Sequence, residues 1–219
     1  MRKSILSLIF SVLLATMGFT TSSNAIGLEG LGVGVSIGTA GYYAVGQEFD
    51  DNPPTGVDGD TKQSGAFQTD WGSVFIEYTA GPVTIGVDYH LDDIETPTNT
   101  NIQGSTTNTV KATFKNHTTA YLLIPVWGGL YAKAGAIYVD VESNEVLGTG
   151  GEYGNTETTG ITAGVGYNHE VQDGFSVRFE ATAAQYSDVD ATNSNDNTKS
   201  VKVTDMMGAS GKVSIVKTF

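Results

Sequence analysis

The chain has 219 residues, no cysteine, 39% hydrophobic residues and a formal net charge of −13. The acidic balance argues against a nucleic-acid partner, and the lack of cysteine excludes a disulfide framework, so the fold must rest on a hydrogen-bonded sheet or a large core. With 28 Gly, 10 Tyr and 9 Phe the composition favours β structure.

In chain order, Met1, Arg2 and Lys3 form a short basic start, an apolar run of about 15 residues follows, and Ser23-Asn24-Ala25 offers a small-residue cleavage site. This predicts a signal peptide over 1–25, because the run is too short for a spanning helix, and one domain over 26–219. Removing 1–25 leaves 24 acidic and 9 basic residues, a formal charge of −15.

The remainder reads as alternating runs with period two. Over 28–46, Leu31, Val33, Val35 and Ile37 oppose a nearly bare face of Gly30, Gly32, Gly34, Ser36 and Gly38. Val74, Ile76 and Tyr78 oppose Ser73, Phe75, Glu77 and Thr79; after Gly81-Pro82, Val83, Ile85, Val87, Tyr89 and Leu91 oppose Thr84, Gly86, Asp88, His90 and Asp92. Over 109–126, Ala112, Phe114, Ala120, Leu122 and Ile124 oppose Lys111, Thr113, Lys115, His117 and Thr119. The run 130–141 sets Ala132, Ala134 and Ala136 against Tyr131, Lys133, Gly135 and Ile137, and its facing stays open. Next, Ile161, Ala163, Val165 and Tyr167 alternate with Thr162, Gly164, Gly166 and Asn168, and Phe175, Val177, Phe179 and Ala181 with Ser176, Arg178, Glu180 and Thr182. The last run, 202–219, sets Val213, Ile215 and Phe219 against Lys212, Ser214 and Thr218.

Short turns near 81, 128 and 173 alternate with long polar segments at 48–65, 93–108, 144–157 and 188–200, rich in Asn, Asp, Thr, Ser and Gly. An even number of alternating strands joined in this way predicts an all-β, eight-stranded, antiparallel, up-and-down transmembrane β-barrel. Hydrocarbon offers no hydrogen-bonding partner, so a sheet survives there only when closed, with its apolar side chains outward. A soluble sandwich has no need of the alternation in loop length. Aromatic residues fall into two bands, as two membrane interfaces would select. Tyr78, Trp127, Tyr131, Phe175 and Phe219 lie near the short turns; Tyr42, Tyr43, Phe67, Trp71, Tyr89, Phe114, Tyr138 and Tyr186 lie towards the long loops.

The amphipathic last strand ending in Phe219 resembles the C-terminal signal of bacterial outer-membrane barrels, although Lys217 occupies an outward place that is more often apolar. Over its whole mature length the chain resembles the small eight-stranded outer-membrane barrels, the group of OmpA-type, OmpX-type, OmpW-type and opacity-like proteins. The resemblance implies a Gram-negative outer-membrane location, periplasmic termini and extracellular long loops. It also implies Val213, Ile215 and Phe219 as the signal read by the barrel-assembly machinery. With the last strand at the chain's end, no peptidoglycan-binding domain is expected.

If the faces are as assigned, Glu77, Asp88 and Glu180 point inward with Lys133, Arg178 and Lys212, three acids with three bases in the half nearer the short turns. An eight-stranded barrel is just wide enough for side chains to fill, and buried charges need partners, so a plug of ion pairs is expected, not an open pore. Asp50, Asp51, Asp58 and Asp60 are weak metal candidates, oxygen donors that match no calcium loop in full; a solvated acidic loop is the simpler reading. A lipid A deacylase of the type with His and Ser two residues apart would need His-x-Ser, whereas the chain has His90-Leu91-Asp92, His117-Thr118-Thr119 and His169-Glu170-Val171. No catalytic residue and no cofactor is expected. The leading function is a monomeric structural or surface-interaction protein acting through four long acidic loops. Its expected partners are outer-membrane lipid and lipopolysaccharide, with divalent cations bridging at the loops. The alternatives are a narrow, porin-like channel for small or apolar solutes and, behind it, a lipid A-modifying enzyme.

Overall fold

A computed structural model of the chain describes residues 29–53, 59–103, 106–148 and 151–219. The expected signal peptide and Asp58 lie outside the described residues.

The strands are β1 (Leu31–Asp50), β2 (Thr61–Ala80), β3 (Val83–His90), β4 (Ile94–Glu95), β5 (Asn99–Gln103), β6 (Thr106–Trp127), β7 (Leu130–Val146), β8 (Thr156–Gln172), β9 (Phe175–Tyr186), β10 (Val189–Thr192) and β11 (Lys199–Thr218). They make eight antiparallel staves, because β3, β4 and β5 all pair with β6 and form one stave, while β9 and β10 both pair with β11 and form another. Pairing of β1 with β11 closes the ring. At the seam Gly30 N–H donates to Phe219 O at 2.9 Å and Phe219 N–H to Leu31 O at 2.9 Å, so the last residue is held in the ladder by its backbone.

Register sets the width. Stepping across the ladder from Val33 through Ile76, Val87, Ala120, Ala136, Ile161, Gln185 and Met207 returns to β1 at Tyr43, ten residues beyond the start. Eight strands with that stagger tilt by about 40° and enclose a cylinder of about 8 Å radius measured to the backbone, which side chains can fill.

Three two-residue turns join staves at one end. At Asp173-Gly174 both residues have positive φ, 38° and 77°, and at Gly81-Pro82 the glycine has φ 62°; these are the mirror-image turns that match strand twist. At the other end the strands run further than their hydrophobic pattern. β1 reaches Asp50, β2 starts at Thr61, and β4, β5 and β10 lie within the segments 93–108 and 188–200 expected to be loops. A ladder is held by backbone groups, so beyond the membrane it needs no apolar face to announce it.

Two bulges change facing. Asn116 has φ 53° where the β6–β7 register slips between Lys115 and Thr118, and Asp205 has φ 52° where the β1–β11 register slips. An extra residue reverses the alternation. Above Asn116, Phe114 therefore faces inward, paired with Ile94, while Lys115 faces outward and pairs with Glu142. That corrects the uniform face expected over 109–126.

Outside, Ile37, Ile76, Ile85, Val87, Ile161, Val165, Val213 and Ile215 are exposed, as lipid-facing residues should be. Tyr78, Trp127, Leu130 and Tyr167 edge this belt on the short-turn side, and Tyr43, Tyr89 and Tyr138 on the other. Tyr42, Phe67, Trp71, Tyr131 and Tyr186, expected in the interfacial bands, instead lie in the lumen. Position along the chain gave their height, but strand parity decides their side. In β7, Tyr131, Lys133, Ile137 and Val139 are buried and Ala134, Ala136 and Tyr138 exposed, which settles its facing.

Candidate functional site: the barrel lumen

The bare face of β1 makes room for large side chains on its neighbour. Gly32, Gly34 and Gly38 pair across the ladder with Glu77, Phe75 and Trp71. A β-carbon on Gly34 would come within 2.2 Å of the Phe75 ring and 2.7 Å of Ile215 O. The same pairing recurs between Gly86 and Tyr121 and between Gly166 and Tyr131. Small residues opposite rings let an eight-stranded lumen hold aromatic and charged groups together.

In the half nearer the short turns all six inward charges meet. Arg178 donates through Nη1 to Glu77 Oε2 and through Nη2 to Glu77 Oε1, both at 2.8 Å, and Tyr121 Oη–H donates to Glu77 Oε2 at 2.8 Å. This is a two-pronged guanidinium–carboxylate pair with fixed geometry. Lys212 Nζ lies 2.7 Å from Asp88 Oδ2 and 2.8 Å from Glu180 Oε2, and Lys133 Nζ 3.1 Å from Glu180 Oε1. None of these six side chains is more than 8% exposed. Lys133 also sits 4.4 Å from the centre of the Tyr121 ring, and Arg178 5.6 Å from those of Phe75 and Tyr131. Rings on several sides add cation–π attraction and exclude water. Tyr121, Leu123 and Tyr131 form a buried apolar cluster beside the pairs.

Farther from the turns the lumen changes character. Trp71 stacks on His90 at 4.1 Å between ring centres, and His90 on His117 at 4.0 Å. His117 Nε2 is 3.2 Å from Tyr186 Oη, and Tyr42 stacks on Phe67 at 5.3 Å. A recess of about 60 Å³ bordered by this stack ends on Asp88, Lys133 and Lys212, and none of Phe75, Glu77, Tyr121, Tyr131 or Arg178 lines it. Periodicity could place these rings on strands, but no local signal showed that they stack. His90 and His117 are 27 residues apart and meet only because β3 pairs with β6.

Of the four weak metal candidates, Asp58 lies outside the described residues. Asp50 Oδ1 accepts from Asn52 N–H at 3.0 Å and its other oxygen lies 3.8 Å from Lys199 Nζ. Among the described residues no group of three or more His, Cys, Asp or Glu could hold a metal ion. Val213 and Ile215 lie exposed on β11, and Phe219 at its end is half-buried. Lys217 Nζ donates to Asp173 O at 2.6 Å and lies 4.5 Å from the Phe175 ring centre, so its charge is held at the short-turn end and not in the apolar belt.

A closed antiparallel ring with an apolar outer belt and a charged, ring-lined interior defines a transmembrane β-barrel. The chain belongs to the outer membrane protein beta-barrel domain family, whose model matches residues 11–204. Among solved structures it is similar to the outer membrane protein OprG from Pseudomonas aeruginosa, at 12% identity over 85% of this chain and 96% of that one, with a TM-score of 0.47. It is also similar to the outer membrane protease OmpT from Escherichia coli, at 8% identity over 86% and 97% with a TM-score of 0.44. A third is the Neisserial surface protein A, at 13% identity over 84% and 97% with a TM-score of 0.35. Among curated proteins none matches.

Proposed function

We propose that this is a non-catalytic, non-conducting barrel that presents its long acidic loops outside the cell as a structural or surface-interaction protein. Residues 1–25 would be removed on export, and both termini would face the periplasm. Lipopolysaccharide would surround the monomer, with divalent cations between it and the loop carboxylates. Barrel-assembly machinery would read the strand ending in Phe219.

The observation that carries this reading is the charge network. Three acids and three bases, each buried and paired, cross a lumen of about 8 Å backbone radius. Opening a pore would separate these pairs, leaving charges without partners in a poorly hydrated interior. The chain also lacks the His-x-Ser pattern that a deacylase of the type considered would need. Recording from purified protein in a planar bilayer tests the reading: no steady conductance is expected. A stable unit conductance would transfer the function to the narrow channel, and release of fatty acid from lipid A would make the protein an enzyme.

A further inference from the structure

The first and last strands meet in the ladder between β1 and β11, and no turn joins them. Elsewhere in the ring neighbouring staves are consecutive in the chain, so a turn or loop limits how far one can slip along the next. β1 itself resists slipping poorly. From Gly32 to Ala40 its lumen face consists of Gly32, Gly34, Ser36, Gly38 and Ala40, with no side chain longer than a serine. Its other face, Val33, Val35 and Ile37, repeats a β-branched apolar group at every second place, and hydrocarbon would accept that face displaced by two residues. A Gly-rich strand of this kind specifies its own register weakly.

Side chains from other strands supply what β1 lacks. Arg178 on β9 reaches Glu77 on β2, across both β11 and β1. Lys212 on β11 reaches Asp88 on β3, across both β1 and β2. Lys212 stands opposite Gly38 in the seam ladder, so it starts its span over a position that has no side chain. Between Gly34 and Gly38, the Ser36 hydroxyl lies 2.8 Å from that of Ser214 across the seam. Phe75 and Trp71 of β2 fill the space over Gly34 and Gly38, where a β-carbon would come within 2.2 and 2.6 Å of their rings. β1 is therefore held between lipid and a layer of groups that it does not itself provide. Neither ion pair crosses the β6–β7 ladder on the far side of the ring. A slip of two residues at the seam moves β11 about 6.6 Å along β1. Both pairs join strands on opposite sides of the seam, so one slip parts both and strands buried charges.

We propose that the Arg178–Glu77 and Lys212–Asp88 pairs act together as a strap over β1, holding the closing strand against β11 in a single register. The same pairs carry the plugged-barrel reading; the strap rests on their geometry and not on their being impermeable.

The test compares hydrogen exchange at individual backbone amides of the full-length barrel in lipid nanodiscs. Arg178→Met/Glu77→Gln combined with Lys212→Met/Asp88→Asn removes both pairs and leaves Lys133 with Glu180. Exchange at Val35, Ile37, Val213 and Ile215 on the seam should rise about tenfold or more through local opening at β1, while Leu122 and Ala134 on the β6–β7 ladder change less than about twofold. Ser36→Cys/Ser214→Cys in the same background bonds the seam covalently in a chain that has no other cysteine. Oxidised, it should return seam exchange to near that of the unmutated barrel; reduced, it should not. If the fourfold variant gives no heat-modifiable form, Lys212→Met/Asp88→Asn alone should raise seam exchange about threefold and leave β6–β7 as it was. Equal acceleration of both ladders, unchanged seam exchange, or a disulfide that leaves the seam as fast would overturn the strap. Steady conductance by the unmutated protein would instead overturn the plug and leave the exchange pattern as it was.

Discussion

Replacing Arg178 with alanine removes the cation that holds Glu77 by two 2.8 Å bonds, in a pair whose side chains are 8% and 4% exposed. Glu77 would keep only the Tyr121 hydroxyl, and the space between Phe75 and Tyr131 would be left unfilled. Breaking a buried pair by removing one partner costs about 3–5 kcal/mol, because the surviving charge is stranded. The recess above ends on Asp88, Lys133 and Lys212, so water has no direct route to Glu77 from that side, and the full range is expected. Glu77→Gln in the Arg178→Ala background removes both charges. It should recover most of the loss, giving an interaction energy of about 2–3 kcal/mol between the two sites. Urea unfolding of the four proteins in lipid vesicles, followed by tryptophan fluorescence, measures the cycle. Additive effects, with an interaction below about 0.5 kcal/mol, would refute the plug as a coupled network.

Deleting Phe219 should lower the heat-modifiable, compact form in membranes, since its backbone closes β1 on β11; wild-type amounts of that form would count against it. Gly34→Val should destabilise the barrel by about 1–3 kcal/mol through overpacking against Phe75 and Ile215 O, and an unchanged urea midpoint would show that β2 can yield. Carboxylates near the outer ends of the strands, among them Asp50, Asp93, Glu95, Glu145, Glu152 and Glu157, should repel the anionic leaflet unless divalent cations intervene. Limited proteolysis of intact cells should then be faster with a chelator, and equal rates would dismiss cation bridging.

The sequence alone determined the class of architecture. Period-two alternation, short turns alternating with long segments, and Val213, Ile215 and Phe219 on one face are local patterns, and a membrane tolerates few ways of satisfying them. Parity likewise assigns Glu77, Asp88, Arg178, Glu180 and Lys212 to one side of their strands, because pleating makes side a property of residue number. Register and bulges lie beyond such reasoning. One extra residue at Asn116 turned Phe114 inward, and nothing in the residues around it marks the site. Whether Arg178 takes Glu77 or the nearer-numbered Glu180 depends on a stagger accumulated round eight ladders. That stagger places Glu77 and Arg178, 101 residues apart, at one height in the lumen. Register also sets Gly34 opposite Phe75, so that a face read in isolation as empty space is filled by its neighbour's rings. The β2–β3 ladder likewise stops at Ser73, and β4 and β5 pair with β6 but not with β2, a choice of partners that only the assembled sheet decides.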